Sequence, residues 1–302
     1  MFGDKIFKYT TAFFAFFIVI SFLMLIYELY KGSYLAISKF GLSFIKNTVW
    51  DPVNGVFGAL PLIIGTIVVS LLSLLFSLPI SIGVALVLVL YLPRKISRGL
   101  AVLIETMAGV PSVIYGLWGL YVLAPFLREN VYSVLQSTLG FIPLFSGPNY
   151  GIGFLTGSMV LALMITPIIT AVTKDLLLGV PTSIKEAAVS LGATKKELAL
   201  IMIKYIKPGL FAASLLGLGR AIGETMAISM VIGNKFKLFP SSLFDTWYTL
   251  SAIIANEFLE ATYDLYISSL VYIGLLLLAV TLAVIIIARI IIWRFSKARG
   301  EI

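Results

Sequence analysis

The sequence predicts an all-α, polytopic membrane protein with six transmembrane helices, and three observations carry that prediction. The first is composition: 60% of the 302 residues are hydrophobic and 12% charged, with a mean hydropathy of +1.07, against about 45–50% and 25% in soluble domains. No soluble core of this size needs so much apolar sequence, so lipid is the solvent for most of the chain. The second is the recurrence of apolar runs long enough to cross a hydrocarbon core of about 30 Å as helices. The third is charge placement, because the basic residues cluster beside those runs rather than on a soluble face. The formal net charge of +8 therefore reads as membrane topology and not as a nucleic-acid surface. Cysteine and histidine are absent, which excludes disulfides and thiolate or imidazole metal sites, so no metal site is expected.

The first span covers residues 9–30, after Lys5 and Lys8. Its apolar run is too long for a signal-peptide core and no small-x-small cleavage site follows, so an uncleaved helix is expected. The second covers 60–92 and the third 99–127, both long enough to tilt or to continue past the hydrocarbon. The fourth covers 152–178, the fifth 208–232 and the sixth 267–293. Pro79, Pro111 and Pro167 lie inside spans and are expected to kink rather than break them, since neighbours re-satisfy the freed carbonyls. Several of Trp50, Trp118, Trp247, Tyr248 and Trp293 fall near span ends, where an interfacial belt accounts for them.

Basic residues set the orientation. With the N-terminus cytoplasmic, 15 of the 22 Lys and Arg lie inside; Lys31, Lys39, Lys46, Arg128, Lys235 and Lys237 lie outside, and Arg220 is within the membrane. The positive-inside rule selects this arrangement, a multi-pass protein of the plasma membrane with both termini cytoplasmic.

Arg220 and Glu224 stand out because they interrupt the fifth apolar run. Arg220 comes 12 residues after Pro208, about 18 Å into the hydrocarbon at the helical rise. A charge there costs on the order of 2.5–3.5 kcal/mol on insertion scales, so membrane helices rarely carry one without a use. Four residues apart, the two share a helix face and can pair. From the residues alone two readings stand: an anion or proton path, or a buried salt bridge joining two helices.

Between spans four and five, residues 179–207 fall on the cytoplasmic side. Ser183-x-x-Glu186 has the spacing of a capping box, followed by helix formers up to Gly192, and Thr194-x-x-Glu197 is a second box opening a helix through Ile206. Two short helices with a glycine joint make a compact knob. Its apolar residues Ala187, Ala188, Leu191, Leu198 and Ile201 exceed what a solvated linker requires, although an amphipathic linker resting on the membrane surface has the same periodicity.

Glu186-Ala187-Ala188, three residues, then Gly192 resembles the EAA loop of ABC-importer permeases, whose coupling helices sit in a groove of a cytoplasmic ATPase. By that resemblance Glu186, Ala187, Ala188 and Gly192 are ATPase-coupling residues, and the architecture is that of a type I ABC-importer permease. The proline that usually closes this loop comes here at Pro208. Gly219-Arg220-Ala221-Ile222-Gly223-Glu224-Thr225-Met226, followed by Gly233-Asn234, resembles phosphate-uptake (Pst) permeases, the PstC type more than its PstA partner. The segments 57–66 and 109–119 agree, so the likeness runs from about Phe40 to the sixth span. It implies a membrane permease subunit of an ATP-driven phosphate importer, with Arg220 and Glu224 lining the substrate path. The implied partners are a PstA-like second permease, two cytoplasmic ATPase subunits and an extracytoplasmic phosphate-binding protein.

The chain has no Gly-x-x-x-x-Gly-Lys-[Ser/Thr] loop, so ATP and Mg are expected on the partner ATPase, with no catalytic residue and no cofactor in this chain. Lesser path candidates are Ser112 and Tyr115, which either donate to an oxyanion or satisfy backbone at the Pro111 bend, and Glu105, which either meets substrate or caps a span end. The outer segment 235–266 carries Asp245, Glu257, Glu260 and Asp264 and is long enough to meet a binding protein. The expected organisation is an N-terminal helix and outer loop (1–56), a transmembrane domain (57–293) and a cytoplasmic tail (294–302). An ABC permease for another oxyanion or small solute, or an ATP-independent secondary transporter in which the pair is a relay or gate, are the alternatives.

Overall fold

A computed structural model describes residues 2–297. Helices dominate because a backbone in hydrocarbon must satisfy its own hydrogen bonds; among the described residues the strand-like pairings are two isolated bridges, Asp51 with Val56 and Gly233 with Trp247. The helices are α1 (Phe2–Phe40), α2 (Leu60–Leu86, prolonged by a π-helical turn over Val87–Tyr91), α3 (Arg94–Met107) and α4 (Ser112–Leu139, with π-helical turns). They continue as α5 (Phe154–Leu178), α6 (Thr182–Ser190), α7 (Lys195–Ile222), α8 (Met226–Val231), α9 (Leu250–Glu257) and α10 (Asp264–Lys297). Five are long and apolar enough to cross a membrane, and α3 with α4 supply a sixth crossing if counted as one bent span. Of the tail expected at 294–302, α10 takes in 294–297, and 298–302, with Arg299, lie outside the described residues.

Three boundaries differ from expectation, each for a local reason. The third span breaks instead of kinking: α3 and α4 meet at 91°. Ala108, Gly109 and Val110 close tight turns onto Glu105, Thr106 and Met107 carbonyls, and Pro111 has no N–H with which to resume the ladder, so the chain restarts at Ser112. The fifth span also breaks, at Gly223–Thr225, and resumes only as the short α8. Pro208 does not open that span; it lies inside α7, which runs unbroken from the knob. The missing proline N–H removes a single ladder bond, which α7 tolerates.

The knob itself follows expectation in part. Thr194 and Glu197 form the reciprocal capping box that opens α7. The box expected at Ser183 and Glu186 does not form, because α6 starts one residue earlier, at Thr182, behind an extended Pro181. Gly192 is the joint, with φ of +82° and open space around its α-carbon, a conformation that L side chains avoid.

The hub of the bundle is α5, packed by α2, α3, α7 and α8. Along one face α2 presents Thr66, Ser70, Ser73, Ser77 and Ser81, all buried, and Thr66 Oγ1 accepts the Leu250 N–H of α9 at 2.9 Å. Ser77 and Thr166 hydroxyls meet at 3.0 Å across the interface, and Ser81 donates to the Thr166 carbonyl at 3.2 Å. Gly65 lies one residue before that stripe, under the backbone of Tyr248. The second half of α1 packs antiparallel on α10 through Leu29, Gly32 and Ala36, whose N–H donates to Ser268 Oγ. Residues 4–25 of α1 are exposed, a lipid-facing stretch.

At the end of the bundle away from the knob, Phe44, Trp50, Phe57, Phe236 and Tyr266 stack or cross edge to face. Glu257 joins them, accepting from Trp50 Nε1 and Tyr266 Oη at 2.7 Å each. Burial pushes its carboxyl above the usual range, while those two donors pull the other way. Trp247 is not a belt residue: it is 1% exposed and donates to the Lys237 carbonyl inside the fold. The side chain of Trp293 lies outside those described.

A β-carbon at Gly65 would lie 2.2 Å from the Tyr248 carbonyl oxygen, whereas one at Gly83 would meet nothing within 4 Å. Gly65→Ala should therefore lose about 3 kcal/mol by overpacking, and Gly83→Ala should gain about 0.5–1 kcal/mol from helix propensity. Thermal unfolding of the detergent-solubilised protein checks both; equal midpoints for the two variants would contradict this packing.

Candidate functional site

Arg220 occupies the last turn of α7 and Glu224 the break beyond it. The expected pair forms, with Arg220 Nη2 3.3 Å from Glu224 Oε2, but not along one continuous helix, since α7 ends at Ile222. The break gives the two residues different surroundings. Glu224 is 3% exposed, whereas the Arg220 side chain is 46% exposed. Glu224 Oε1 accepts the Ala227 N–H at 3.3 Å, and its carbonyl accepts the Ser251 hydroxyl at 2.6 Å. The carboxylate thus serves the first turn of α8, where free N–H groups favour negative charge. Arg220, held from one side, faces a 520 Å³ cavity whose other lining residues, among them Ile168, Leu216 and Ile285, are apolar or glycine. A guanidinium that has one tethered carboxylate and otherwise apolar walls keeps donor capacity for a second oxyanion.

Ser112 and Tyr115 sit at the start of α4, and Gly116 and Gly119 bring that helix against Ala227 and Val231 of α8. The fold therefore places them on the helix that supports the break. Tyr115 spends its hydroxyl on the Met107 carbonyl at 2.9 Å, which stitches the two halves of the bent span and favours the backbone role for this residue. Ser112 donates to no group among the described residues.

Glu105 is not part of this cluster. It accepts from Lys174 Nζ at 2.5 Å and joins α3 to the last turns of α5. Lys174 had no place among the sequence candidates, since nothing in linear spacing pairs residues 69 apart. At the knob, Ala188 is buried while Glu186 and Ala187 face outward, and Val189 and Leu191 are 58% and 89% exposed. The knob therefore exposes large apolar side chains beside charged ones.

Similarity to known proteins shows the family and the fold. The family model described as the binding-protein-dependent transport system inner membrane component matches residues 77–297. The chain is 43% identical to the phosphate transport system permease protein PstC of Mesorhizobium japonicum, over 98% of this chain and 92% of that protein. It is 40% identical to the PstC of Haemophilus influenzae, over 99% and 96%. It is also 37% identical to a probable PstC of Methanocaldococcus jannaschii, over 90% and 89%. In fold it is similar to a chain of the MetNI methionine ABC transporter, solved in inward-facing conformations, with a TM-score of 0.54 at 17% identity, covering 78% of this chain and 94% of that one.

One further constellation was not visible in the sequence as such. The segment after α8 folds back over the start of α5, where the Phe154 N–H donates to the Asp245 carbonyl and the Gly153 N–H to that of Val231. Asp245, 2% exposed, accepts from Lys237 Nζ at 2.5 Å and from the Ser241 N–H and hydroxyl at 3.0 and 2.8 Å. Burial pushes its carboxyl up, but the lysine and serine donors outweigh it and hold it at about 2, against 3.8 for a free aspartate. A depressed carboxyl stabilises the fold above the unfolded value and loses that contribution as pH falls through the folded one. Asp245→Asn should therefore cost about 2 kcal/mol at pH 7, with the gap to wild type closing between pH 4 and 2. Melting temperatures across that range check it.

Proposed function

Because this chain belongs to the family of binding-protein-dependent transport system inner membrane components, we propose that it is the permease subunit of an ATP-driven phosphate importer, of the PstC type, forming half of the translocation path. The observation that carries the reading is the asymmetric pair at the break, a buried carboxylate tethered to α8 and a half-exposed guanidinium beside it.

Phosphate bears between one and two negative charges at neutral pH, and its oxygens match the planar fork of an arginine. Arg220 offsets part of the cost of taking that anion out of water. Glu224 does two things from its fixed position: it holds the guanidinium when the path is empty, and it repels the anion once it is bound. A path residue must release what it binds, and a competing carboxylate 3.3 Å away keeps the complex shallow. The path is completed by a second, PstA-like permease, which supplies the facing wall and, by the same reasoning, another cation.

Energy enters through the knob. Two cytoplasmic ATPase subunits, carrying ATP and Mg, receive α6 with Glu186, Ala187, Ala188 and Gly192, while this chain does no hydrolysis itself. A phosphate-binding protein delivers substrate to the opposite, outer surface around the 232–263 segment. Both termini of this chain then face the cytoplasm.

The test is uptake of labelled phosphate into proteoliposomes holding this chain with its genomic neighbours, with ATP inside and binding protein outside. ATP-dependent uptake that resists excess sulfate and molybdate is expected. Uptake without ATP would make the protein a secondary carrier, and stimulation of ATPase activity by another anion alone would overturn the substrate. Arg220→Ala should lower uptake about ten- to a hundredfold, the scale of removing one charge-assisted hydrogen bond, while assembly stays intact; Arg220→Lys should recover only part of it. Gly192→Val, which forces a β-branched residue to φ of +82°, should uncouple hydrolysis from uptake. Full binding-protein-stimulated ATPase activity together with wild-type uptake in that variant would exclude the joint from coupling.

A further inference from the structure

A second charged cavity lies at the other end of the bundle and shares no residue with the one beside Arg220. It measures 560 Å³ and receives Arg94 and Arg98 from α3, Lys174 from α5 and Lys185 from α6, with Glu105 as its one acidic lining residue. Glu105 is already committed to Lys174, which has Asp175 3.5 Å away as well. Arg94, Arg98 and Lys185 make no ion pair among the described residues. Three cations from two elements therefore face one concavity uncompensated.

The placement is costly for the helix that carries two of them. Arg94 is the first residue of α3, and the positive end of a helix dipole disfavours cations by about 0.3–1 kcal/mol each. Positive-inside topology explains basic residues at this edge; it does not explain why Lys185, on a separate helix, turns toward the same hollow. The wall is held in place, since Ser97 donates its hydroxyl to the Leu88 carbonyl at 2.7 Å and ties the start of α3 to the π-helical turn. That turn, with Val102 and Leu178, lines the rest with apolar surface.

We propose that this cavity binds a phosphate group at the inner edge of the membrane, with Arg94 and Arg98 as forked donors and Lys185 as a third positive contact. The group is either the headgroup of an anionic phospholipid, whose chains would follow the apolar wall, or free inorganic phosphate. In both cases it ties α6, the helix that carries Glu186, Ala187 and Ala188, to α3, so occupancy restrains the knob.

The experiment uses the assembled complex, purified and delipidated, then supplied with phosphatidylcholine alone, with about 30% phosphatidylglycerol to mimic an anionic leaflet, or with phosphatidylcholine plus inorganic phosphate. Native mass spectrometry counts the retained molecules, so the readout does not depend on transport. Wild type should retain one more phosphatidylglycerol, or one more phosphate, than the Arg94→Gln/Arg98→Gln double variant. The probe retained assigns the source. Lys207→Gln, an exposed lysine outside the cavity lining, should retain the probe as wild type does, which separates this site from general positive charge on the same molecule. Lys185→Gln, a change outside the spanning helices, should weaken retention roughly tenfold, the scale of one charge-assisted hydrogen bond, and guards against misfolding of the double variant. Equal retention of both probes by wild type and the variants would overturn the proposal.

Discussion

Lipid gives two apolar helices no reason to prefer each other over acyl chains, and the α2–α5 contact is how this fold answers that constraint. Association in hydrocarbon rests on close packing and on hydrogen bonds that are individually modest, averaging about 0.6 kcal/mol. The hydroxyl stripe on α2 serves both. Its side chains are small enough for close approach, and Thr66, Ser70 and Ser73 return their hydroxyls to carbonyls one turn back at 2.8, 2.7 and 2.6 Å, so no donor among these three is stranded. Ser77 and Ser81 instead reach Thr166. With α5 anchored in this way, α3, α7 and α8 have a common surface against which to pack.

Both interruptions of the spanning helices depend on that surface. A helix broken inside a membrane exposes N–H and C=O groups that lipid cannot satisfy. At the first break the turn bonds around Ala108 and Gly109 and the Tyr115 hydroxyl do so; at the second, the Glu224 carboxylate and the Ser251 hydroxyl do. Glu224 is therefore both a backbone cap and the counter-charge of Arg220. Of the two readings left open by the residues alone, the structure shows the ion pair and the backbone cap on its carboxylate side.

Much of this was legible from residue order. Span number, the second capping box and the glycine joint followed from hydropathy, spacing and chemistry that act locally. The break at Pro111 was not, because proline inside a membrane helix is compatible with a kink or a break, and neighbouring groups decide between them. Likewise Pro208 looks like a boundary in the sequence, yet α7 continues through it to make the knob and the fifth span one element. The serine and threonine spacing on α2 was present in the sequence, but only the position of α5 gives it meaning. Pairs such as Lys174 with Glu105 and Lys237 with Asp245 required the fold, since each joins a residue to a partner whose direction the backbone sets.

The continuity of α7 has a mechanical consequence. From Lys195 to Ile222 it is 28 residues long, about 42 Å at the helical rise, with the capping box at one end and Arg220 in the last turn of the other. A rod of that length acts as a lever: a tilt of about 5° at the Lys195 end sweeps the far end through roughly 4 Å. That displacement exceeds the 3.3 Å that separates the guanidinium from Glu224, whose anchor is on α8, beyond the break. The gap between the charges can then be opened or closed by leverage alone, without a relay of side-chain rearrangements along the bundle.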